Sequence, residues 1–214
     1  MAEFKKQNPQ YTVVSYVNTS AEVKALTDVC VTSSNALSII ESMPKEEQIL
    51  FCPDRNLGSY INRVTGRNMK LWDGACHVHE GFSTDMLINI KKQYGSAEII
   101  AHPECKSEIV NISDYVGSTA AMIDYVGRSN ADTFIVVTES GIMHELEKRY
   151  NNKRFIPAPP ISERGTLNVC EYMRLNTLEK VYDTLMNETP EILIDRELSS
   201  KARVCIDRML SLTK

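Results

Sequence analysis

The stretch Thr12-Val-Val-Ser-Tyr16-Val-Asn18 recurs in altered form as Glu98-Ile-Ile-Ala-His102-Pro-Glu104. Both stretches are short apolar runs that end in polar residues, which is the pattern of a buried parallel strand. Further matches follow at the same offset of about 85 residues, among them Asp54 and Glu139. A period of that length predicts two copies of one small domain, with sites where equivalent edges of the copies meet.

Each copy alternates apolar strand patterns with helical patterns. The first copy predicts strands over 12–17, 30–32 and 49–51 and helices over 21–26, 33–43 and 56–64. The second predicts strands over 98–101, 109–112 and 133–137 and helices from about 106, over 118–127 and over 141–149. This order predicts an α/β protein of tandem three-layer αβα domains with short parallel sheets. A proline-rich linker is expected over 154–165, followed by helices over 177–186 and 195–212.

Polar side chains follow the predicted strands in both copies. In such folds, ligands bind outside the carboxyl ends of the strands. The residues expected there are Tyr16, Asn18 and Ser33 in the first copy and His102, Glu104 and Thr119 in the second. Asp54 and Glu139 belong to the same pattern, but the sequence assigns them no role.

Two pairs of these residues have more specific chemistry. His102 and Glu104 flank a proline, and a carboxylate near a metal site is a candidate base. Ser33 and Thr119 are each expected to open a helix, where backbone N–H groups favour an anion. Ordinary helix capping is the alternative interpretation for both hydroxyl residues.

The cysteines divide into two groups. Cys76 closes the first copy and Cys170 closes the second, and this equivalence favours metal ligation over burial as small apolar residues. Soft thiolates from separate domains suit an iron–sulfur cluster, whereas the spacing in Cys76-His-Val-His-Glu80 does not match zinc. The other cysteines are expected in the core: Cys30, Cys52, Cys105 and Cys205. The remaining histidines, His77, His79 and His144, are expected to be structural or surface groups.

The composition is ordinary for a globular protein. The 214 residues are 24% charged and 43% hydrophobic, with a formal net charge of −4. There is no basic stripe with interleaved aromatics, so nucleic acid is not an expected partner. No apolar run approaches the roughly 18 residues of a membrane span, and the first residues lack a signal-peptide core. We therefore expect a cytoplasmic protein, in which cysteines are thiols or metal ligands.

Longer motifs resemble those of the quinolinate synthase family, in order and across essentially the whole chain. They include Pro53-Asp-Arg-Asn-Leu-Gly58, Trp72-Asp-Gly-Ala-Cys76-His-Val-His-Glu80, His102-Pro-Glu104-Cys105 and Cys170-Glu-Tyr-Met-Arg-Leu-Asn-Thr-Leu-Glu179. The resemblance implies three αβα domains in a pseudo-threefold arrangement around a [4Fe–4S] cluster with three cysteine ligands. It also implies a transferase of NAD biosynthesis that condenses iminoaspartate with dihydroxyacetone phosphate to give quinolinate, phosphate and water.

Carried over by position, the resemblance suggests roles for eight residues. Cys76 and Cys170 look like the second and third cluster ligands, and Glu104 with His102 is expected to move protons. Substrate contacts are expected from Tyr16, Asn18, Ser33, His102, Glu104 and Thr119.

The family's N-terminal domain, with its first cluster cysteine, has no counterpart in these 214 residues. The implied layout is the family's second domain over 1–76, its third over 77–165, and a ligand loop with C-terminal helices over 166–214. Activity of this chain alone is thus in question. A partner that supplies iminoaspartate, L-aspartate oxidase or dehydrogenase, is also implied. Two alternatives stay open: a [4Fe–4S] hydro-lyase acting on a hydroxy acid, and a non-catalytic remnant or interaction fragment.

Overall fold

The computed structural model describes residues 1–161 and 168–213. The helices and strands of these residues are, in chain order, α1 (Ala2–Gln7), β1 (Thr12–Tyr16), α2 (Ala21–Ala25), β2 (Val29–Val31), α3 (Ala36–Ser42), β3 (Ile49–Cys52), α4 (Arg55–Thr65), β4 (Lys70–Leu71), α5 (His77–Glu80), α6 (Thr84–Gln93), β5 (Glu98–Ala101), α7 (Ser107–Asn111), β6 (Tyr115–Val116), α8 (Thr119–Arg128), β7 (Thr133–Val137), α9 (Ile142–Arg149), β8 (Arg154–Pro157), α10 (Leu178–Asn187) and α11 (Arg196–Leu212). A single 3₁₀ turn covers Met173–Leu175.

The strands form two four-stranded parallel sheets with the same topology. The first has the order β2-β1-β3-β4 and the second β6-β5-β7-β8. In the first sheet Val14 pairs with Phe51, and in the second Ile100 pairs with Val136. Helices connect the strands, as parallel pairing requires. The predicted α/β fold with repeated parallel sheets is confirmed.

The repeat extends to side-chain detail. The Asp28 carboxylate accepts a hydrogen bond from the Val13 N–H at 2.8 Å, at the start of β1. In the second copy Asp114 accepts from the Ile99 N–H, also at 2.8 Å, at the start of β5. Asp28 directly precedes β2 and Asp114 directly precedes β6. Each carboxylate thus ties the start of an edge strand to the start of the neighbouring strand. Both copies therefore share local contacts as well as topology.

The central strands are buried on both faces. Phe51 on β3 and Phe134 on β7 are fully covered, and burying such a ring contributes roughly 2–3 kcal/mol. The helices close over them, with Ile39 and Leu57 packed in the first core and Met122 and Leu146 in the second. The polar residues at the strand ends are therefore carried by two well-packed sheets.

Two predicted elements differ from the observed ones. Helix α3 begins at Ala36 and not at Ser33, because the Asn35 side chain accepts from the Thr32 N–H at 2.6 Å and closes a turn. The strand expected over 109–112 is wrong: these residues lie mostly in α7, and the strand follows at β6. A short buried apolar run does not distinguish a strand from a helix by periodicity.

The linker expected over 154–165 is wrong in its first part. Arg154–Pro157 forms β8, which pairs with β7 so that Phe155 lies beside Phe134. A proline is tolerated there because β8 is an edge strand. Residues 162–165 lie outside the described part of the chain.

The two C-terminal helices differ in their packing. Helix α11 contacts α2 and β2, and its Cys205 and Met209 enter the first core. Helix α10 instead exposes its apolar side chains, with Leu178 81% and Leu185 76% accessible. Of the helices described, not one has both the length and the apolar character that a membrane span requires.

Candidate functional site

The carboxyl end of β5 carries a tight polar turn. The chain leaves the sheet after Ala101, and the Cys105 N–H donates to the His102 carbonyl at 3.0 Å. Within the turn the Glu104 N–H donates to Nδ1 of His102 at 3.3 Å. This contact requires Nδ1 to be unprotonated, so the ring proton of a neutral His102 lies on Nε2.

His79 on α5 joins this turn from the end of the first repeat. Its Nε2 lies 3.0 Å from Oγ1 of Thr138, just beyond β7. Its Nδ1 lies 3.1 Å from Oε2 of Glu104, although the N–H is not aligned as a linear hydrogen bond. The rings of His79 and His102 stack with centroids 4.7 Å apart. Three separate elements therefore hold one imidazole–carboxylate–imidazole cluster.

The charges in this cluster follow from its contacts. Burial opposes a charge on His79, but hydrogen bonds and charge interactions with Cys76 and Glu104 raise its pKa to about 9. For His102, burial and then the charge of His79 lower the pKa to about 4. Burial also opposes ionisation of Glu104, yet the close polar contact with His79 leads the effects that lower its pKa. At neutral pH the site therefore holds an imidazolium, a carboxylate and a neutral imidazole.

A possible ligand set overlaps this cluster. The sulfur of Cys76 and one ligand atom each of His79 and Glu104 lie within 4.8 Å of one another. One thiol, one imidazole and one carboxylate are all competent metal donors. The end of the first repeat and the turn after β5 thus meet around Cys76.

The loop carrying Cys170 reaches the same region. The Asn168 side chain donates to the Val78 carbonyl on α5 at 2.7 Å. Further along, the ring of Tyr172 packs edge-on against His77 at 5.4 Å. Since α5 begins directly after Cys76, both cysteine-bearing segments lie against one short helix.

Exposure separates the six cysteines in the way that a ligand role requires. Cys76 and Cys170 are half-buried, whereas the other four are buried. Burial raises the pKa of the Cys105 thiol, which instead donates to the Val137 carbonyl at 3.5 Å. Two accessible thiols from different repeats are suitable donors for an iron–sulfur cluster, so the residues present fit that group.

The remaining residues predicted from the sequence lie at strand ends. The Tyr16 hydroxyl lies 3.4 Å from Oγ of Ser33 and accepts from the Ser33 N–H at 3.4 Å. Asn18 is exposed beyond β1. Thr119 is the exposed first residue of α8, and the neighbouring Ser118 is the residue that caps this helix. Among the described residues, no hydrogen bond links the Tyr16–Ser33 pair to the His102–Glu104 pair.

Sequence reasoning missed three residues that organise this region. His79 was expected to be structural, although it lies one helical turn after Cys76 and at the centre of the cluster. Asp54 and Glu139 were left without a role, yet they hold the backbones of Cys76 and Cys170. Their spacing of 85 residues was the available signal. Burial raises the pKa of Asp54, with the Glu104 charge adding to it.

Comparisons with known proteins identify the family of this chain. The family model described as Quinolinate synthetase A protein matches residues 1–211. The chain is 51% identical over 211 residues to the quinolinate synthase of Chloroherpeton thalassium, covering 99% of this chain and 66% of that protein. It is 47% identical over 213 residues to that of Gloeothece citriformis, covering 100% and 66%. It is 48% identical over 212 residues to that of Synechocystis sp., covering 99% and 66%.

The chain thus spans just under two thirds of the length of these relatives. The match runs across both repeats, α10 and all of α11 except its last residue. This chain belongs to the quinolinate synthetase A family.

Proposed function

We propose that this chain is part of a quinolinate synthase, a transferase that condenses iminoaspartate with dihydroxyacetone phosphate to quinolinate, phosphate and water. The observation that carries the proposal is the Glu104 carboxylate, which lies 3.1 Å from Nδ1 of His79 and within 4.8 Å of the half-buried Cys76 thiol, with His102 stacked on His79. Condensation followed by dehydration and ring closure needs a base that stays ionised in a largely dry site. The paired carboxylate meets that need.

The three residues of the cluster take distinct roles. Glu104 accepts protons from carbon or nitrogen of the bound substrate, because its lowered pKa keeps it ionised at neutral pH. His79 keeps that carboxylate in place and offsets its charge. His102 is neutral, and its Nε2–H is available to donate to a substrate oxygen.

The strand-end hydroxyl residues serve as substrate contacts in this proposal. Tyr16 and Ser33 form one pair of hydroxyl groups, and Asn18 adds an amide from the same edge. Thr119 adds a hydroxyl at the start of a ten-residue helix, where N–H groups favour a carboxylate or phosphate. Both substrates carry such anionic groups.

Cys76 and Cys170 would hold a [4Fe–4S] cluster, whose open iron would act as a Lewis acid when the cluster is bound. A third thiolate would come from the third of the relatives' length that this chain does not match. The pseudo-threefold layout, with domains over 1–76 and 77–165 and a ligand loop and helices over 166–214, belongs to this proposal. Iminoaspartate would be supplied by L-aspartate oxidase or dehydrogenase.

The test is anaerobic reconstitution of activity. The chain is combined with the third of the Chloroherpeton thalassium protein that it does not match, iron, sulfide and both substrates, and quinolinate and phosphate are measured. We expect both products with the wild-type chain, a large loss with Glu104→Gln, and normal turnover with Glu108→Gln, an exposed carboxylate on α7.

Three outcomes would contradict the proposal. Normal turnover by an iron-loaded Glu104→Gln chain would remove the assigned base. An iron-loaded assembly that forms neither product would exclude this reaction. Dehydration of a hydroxy acid without phosphate release from dihydroxyacetone phosphate would favour the hydro-lyase.

A further inference from the structure

The same carboxylate contact occurs at the end of both repeats. Asp54, directly after β3, accepts from the Cys76 N–H at 2.8 Å and from the Leu57 N–H at 2.8 Å. Glu139, two residues after β7, accepts from the Cys170 N–H at 3.3 Å. Its other oxygen accepts from the Gly141 N–H at 2.6 Å. Each carboxylate therefore bridges the start of the next helix to one cysteine backbone.

A second hydrogen bond accompanies each of these contacts. Arg55 directly follows Asp54, and its N–H donates to the Gly74 carbonyl at 2.7 Å. Ser140 directly follows Glu139, and its N–H donates to the Asn168 carbonyl at 3.0 Å. Gly74 and Asn168 each lie two residues before a cysteine, so the two repeats form the same pair of bonds.

Local chain geometry does not explain this correspondence. The carboxylate and cysteine are 22 residues apart in the first repeat and 31 residues apart in the second. The intervening segments also differ, since β4 lies in one and β8 with the undescribed residues in the other. The contact is thus kept across unequal connections and across a change from Asp to Glu.

We propose that Asp54 and Glu139 are positioning residues that form a carboxylate latch on the backbones of Cys76 and Cys170. The carboxylate latch, meaning these two carboxylates with their cysteine N–H bonds, fixes each thiol at the end of its repeat before a cluster binds. Its purpose rests on the proposed function, in which these thiols hold the cluster. The contacts themselves do not depend on that function.

The carboxylate latch has two physical consequences. A preformed ligand backbone reduces the ordering cost that ligand binding must otherwise meet. A cysteine N–H that donates to a carboxylate is also not free to donate to sulfur, and the carboxylate adds negative charge nearby. Hydrogen bonds to sulfur and local charge are among the factors that set cluster reduction potentials. The carboxylate latch should therefore keep the potential low.

Helix capping alone is the competing explanation for Asp54. Asp195 gives a matched control, because it caps α11 by accepting from the Glu197 and Leu198 N–H groups and has no hydrogen bond to a cysteine. Asp54→Asn and Glu139→Gln are conservative variants that keep an acceptor oxygen without the charge. They also give measurable variants if the alanine variants fail to fold.

The first measurement uses the 214-residue chain without metal. Amide hydrogen exchange and iodoacetamide modification are followed at Cys76 and Cys170. We expect Asp54→Ala to accelerate exchange at Cys76 by about tenfold, as for loss of one charge-assisted hydrogen bond, and to speed modification of its thiol. Glu139→Ala should do the same at Cys170. The Asn and Gln variants should restore much of the protection, and Asp195→Ala should affect neither cysteine.

The second measurement uses the chain assembled with the third of the relatives' length that it does not match and reconstituted with iron and sulfide. We expect the alanine variants to lose iron faster than the wild type. The Asn and Gln variants should retain iron but shift the cluster's reduction potential in the positive direction.

The outcomes separate this proposal from the proposed function. Wild-type exchange and modification rates at both cysteines in the alanine variants would overturn the carboxylate latch. Altered exchange with unchanged iron retention and unchanged potential would show that the contacts exist but would overturn their role in holding the cluster. If the wild-type assembly forms no cluster, the proposed function fails, and the metal-free exchange and modification rates still decide whether the carboxylate latch exists.

Discussion

Nδ1 of His79 lies 3.1 Å from Oε2 of Glu104, and the two side chains are only 7% and 13% exposed. Removing two charges from water is costly, and the attraction between them offsets that cost only while both are present. The pair also joins α5 at the end of the first repeat to the turn after β5 in the second. It therefore links the stability of the repeat interface to the protonation of the candidate base.

Removing one residue of this pair should destabilise the chain more than removing both charges. We predict that His79→Leu destabilises the chain by about 3 kcal/mol, because it leaves the Glu104 carboxylate buried without its partner. The double variant His79→Leu/Glu104→Gln should recover part of that loss. Urea unfolding of both, with His144→Leu as a control on α9, measures the difference. Strict additivity of the two single changes would show that the residues do not interact.

Acid should destabilise the fold through His102. The folded-state pKa of about 4 lies below the ordinary value of 6.5, so protons bind the unfolded chain more readily. The stabilisation is complete above pH 6.5 and is lost as the pH falls towards 4. It amounts to about 3 kcal/mol, since each unit of pKa difference corresponds to about 1.4 kcal/mol. His79 and Glu104 contact this ring, so their own titration also contributes to the measured pH dependence and must be subtracted from it.

The matched measurement for His102 compares wild type with His102→Asn by urea unfolding at several pH values. The stability difference between the two should shrink as the pH falls from 6.5 to 4. A constant difference over that range would show that His102 titrates normally in the folded chain.

Much of the fold follows from the sequence because each repeat contains strong local signals. Strands β5 and β7 were predicted with their observed bounds, since their apolar runs are short and rich in β-branched residues. The strand at β6 was missed because two residues give no periodicity. Strand β8 was missed because its proline suggested a linker, and only its edge position makes that proline acceptable.

A glycine in the Cys76 loop gives a prediction about backbone packing. A Cβ on Gly74 would lie 2.5 Å from the Pro53 carbonyl oxygen, and that backbone cannot move without disturbing Asp54. We predict that Gly74→Ala lowers the free energy of unfolding by about 2 kcal/mol. Gly95→Ala is the control, because nothing lies within 4 Å of its Cβ. Equal thermal melting temperatures for the two variants would contradict the prediction.

The candidate site was only partly accessible to sequence reasoning. The repeat identified Cys76 and Cys170 as an equivalent pair, and the polar strand ends pointed to His102 and Glu104. The role of His79 depends on tertiary contacts with Thr138 and Glu104, which no local pattern encodes. Asp54 and Glu139 matched in the alignment of the repeats, but their acceptor role required knowing where the cysteine N–H groups point.

The last prediction concerns cluster binding by the 214-residue chain alone. An iron–sulfur cluster with one open iron needs three thiolates, and Cys76 and Cys170 are the two cysteines that are not buried. The other four are held in the cores, and burial raises the pKa of Cys52 to about 11. Anaerobic reconstitution with iron and sulfide should therefore give little or no stable cluster, measured by iron content and absorbance.

Supplying the third of the relatives' length that this chain does not match should restore the cluster, because ligand binding to the assembled form stabilises that form. Cys76→Ser should abolish this restoration, while Cys30→Ser is the control for a buried thiol outside the site. A stoichiometric [4Fe–4S] centre in the isolated chain would contradict the prediction and point to Cys105 or Cys52 as the third ligand. That outcome would also require the chain around β3 or β5 to open, since both thiols are covered by their own repeats.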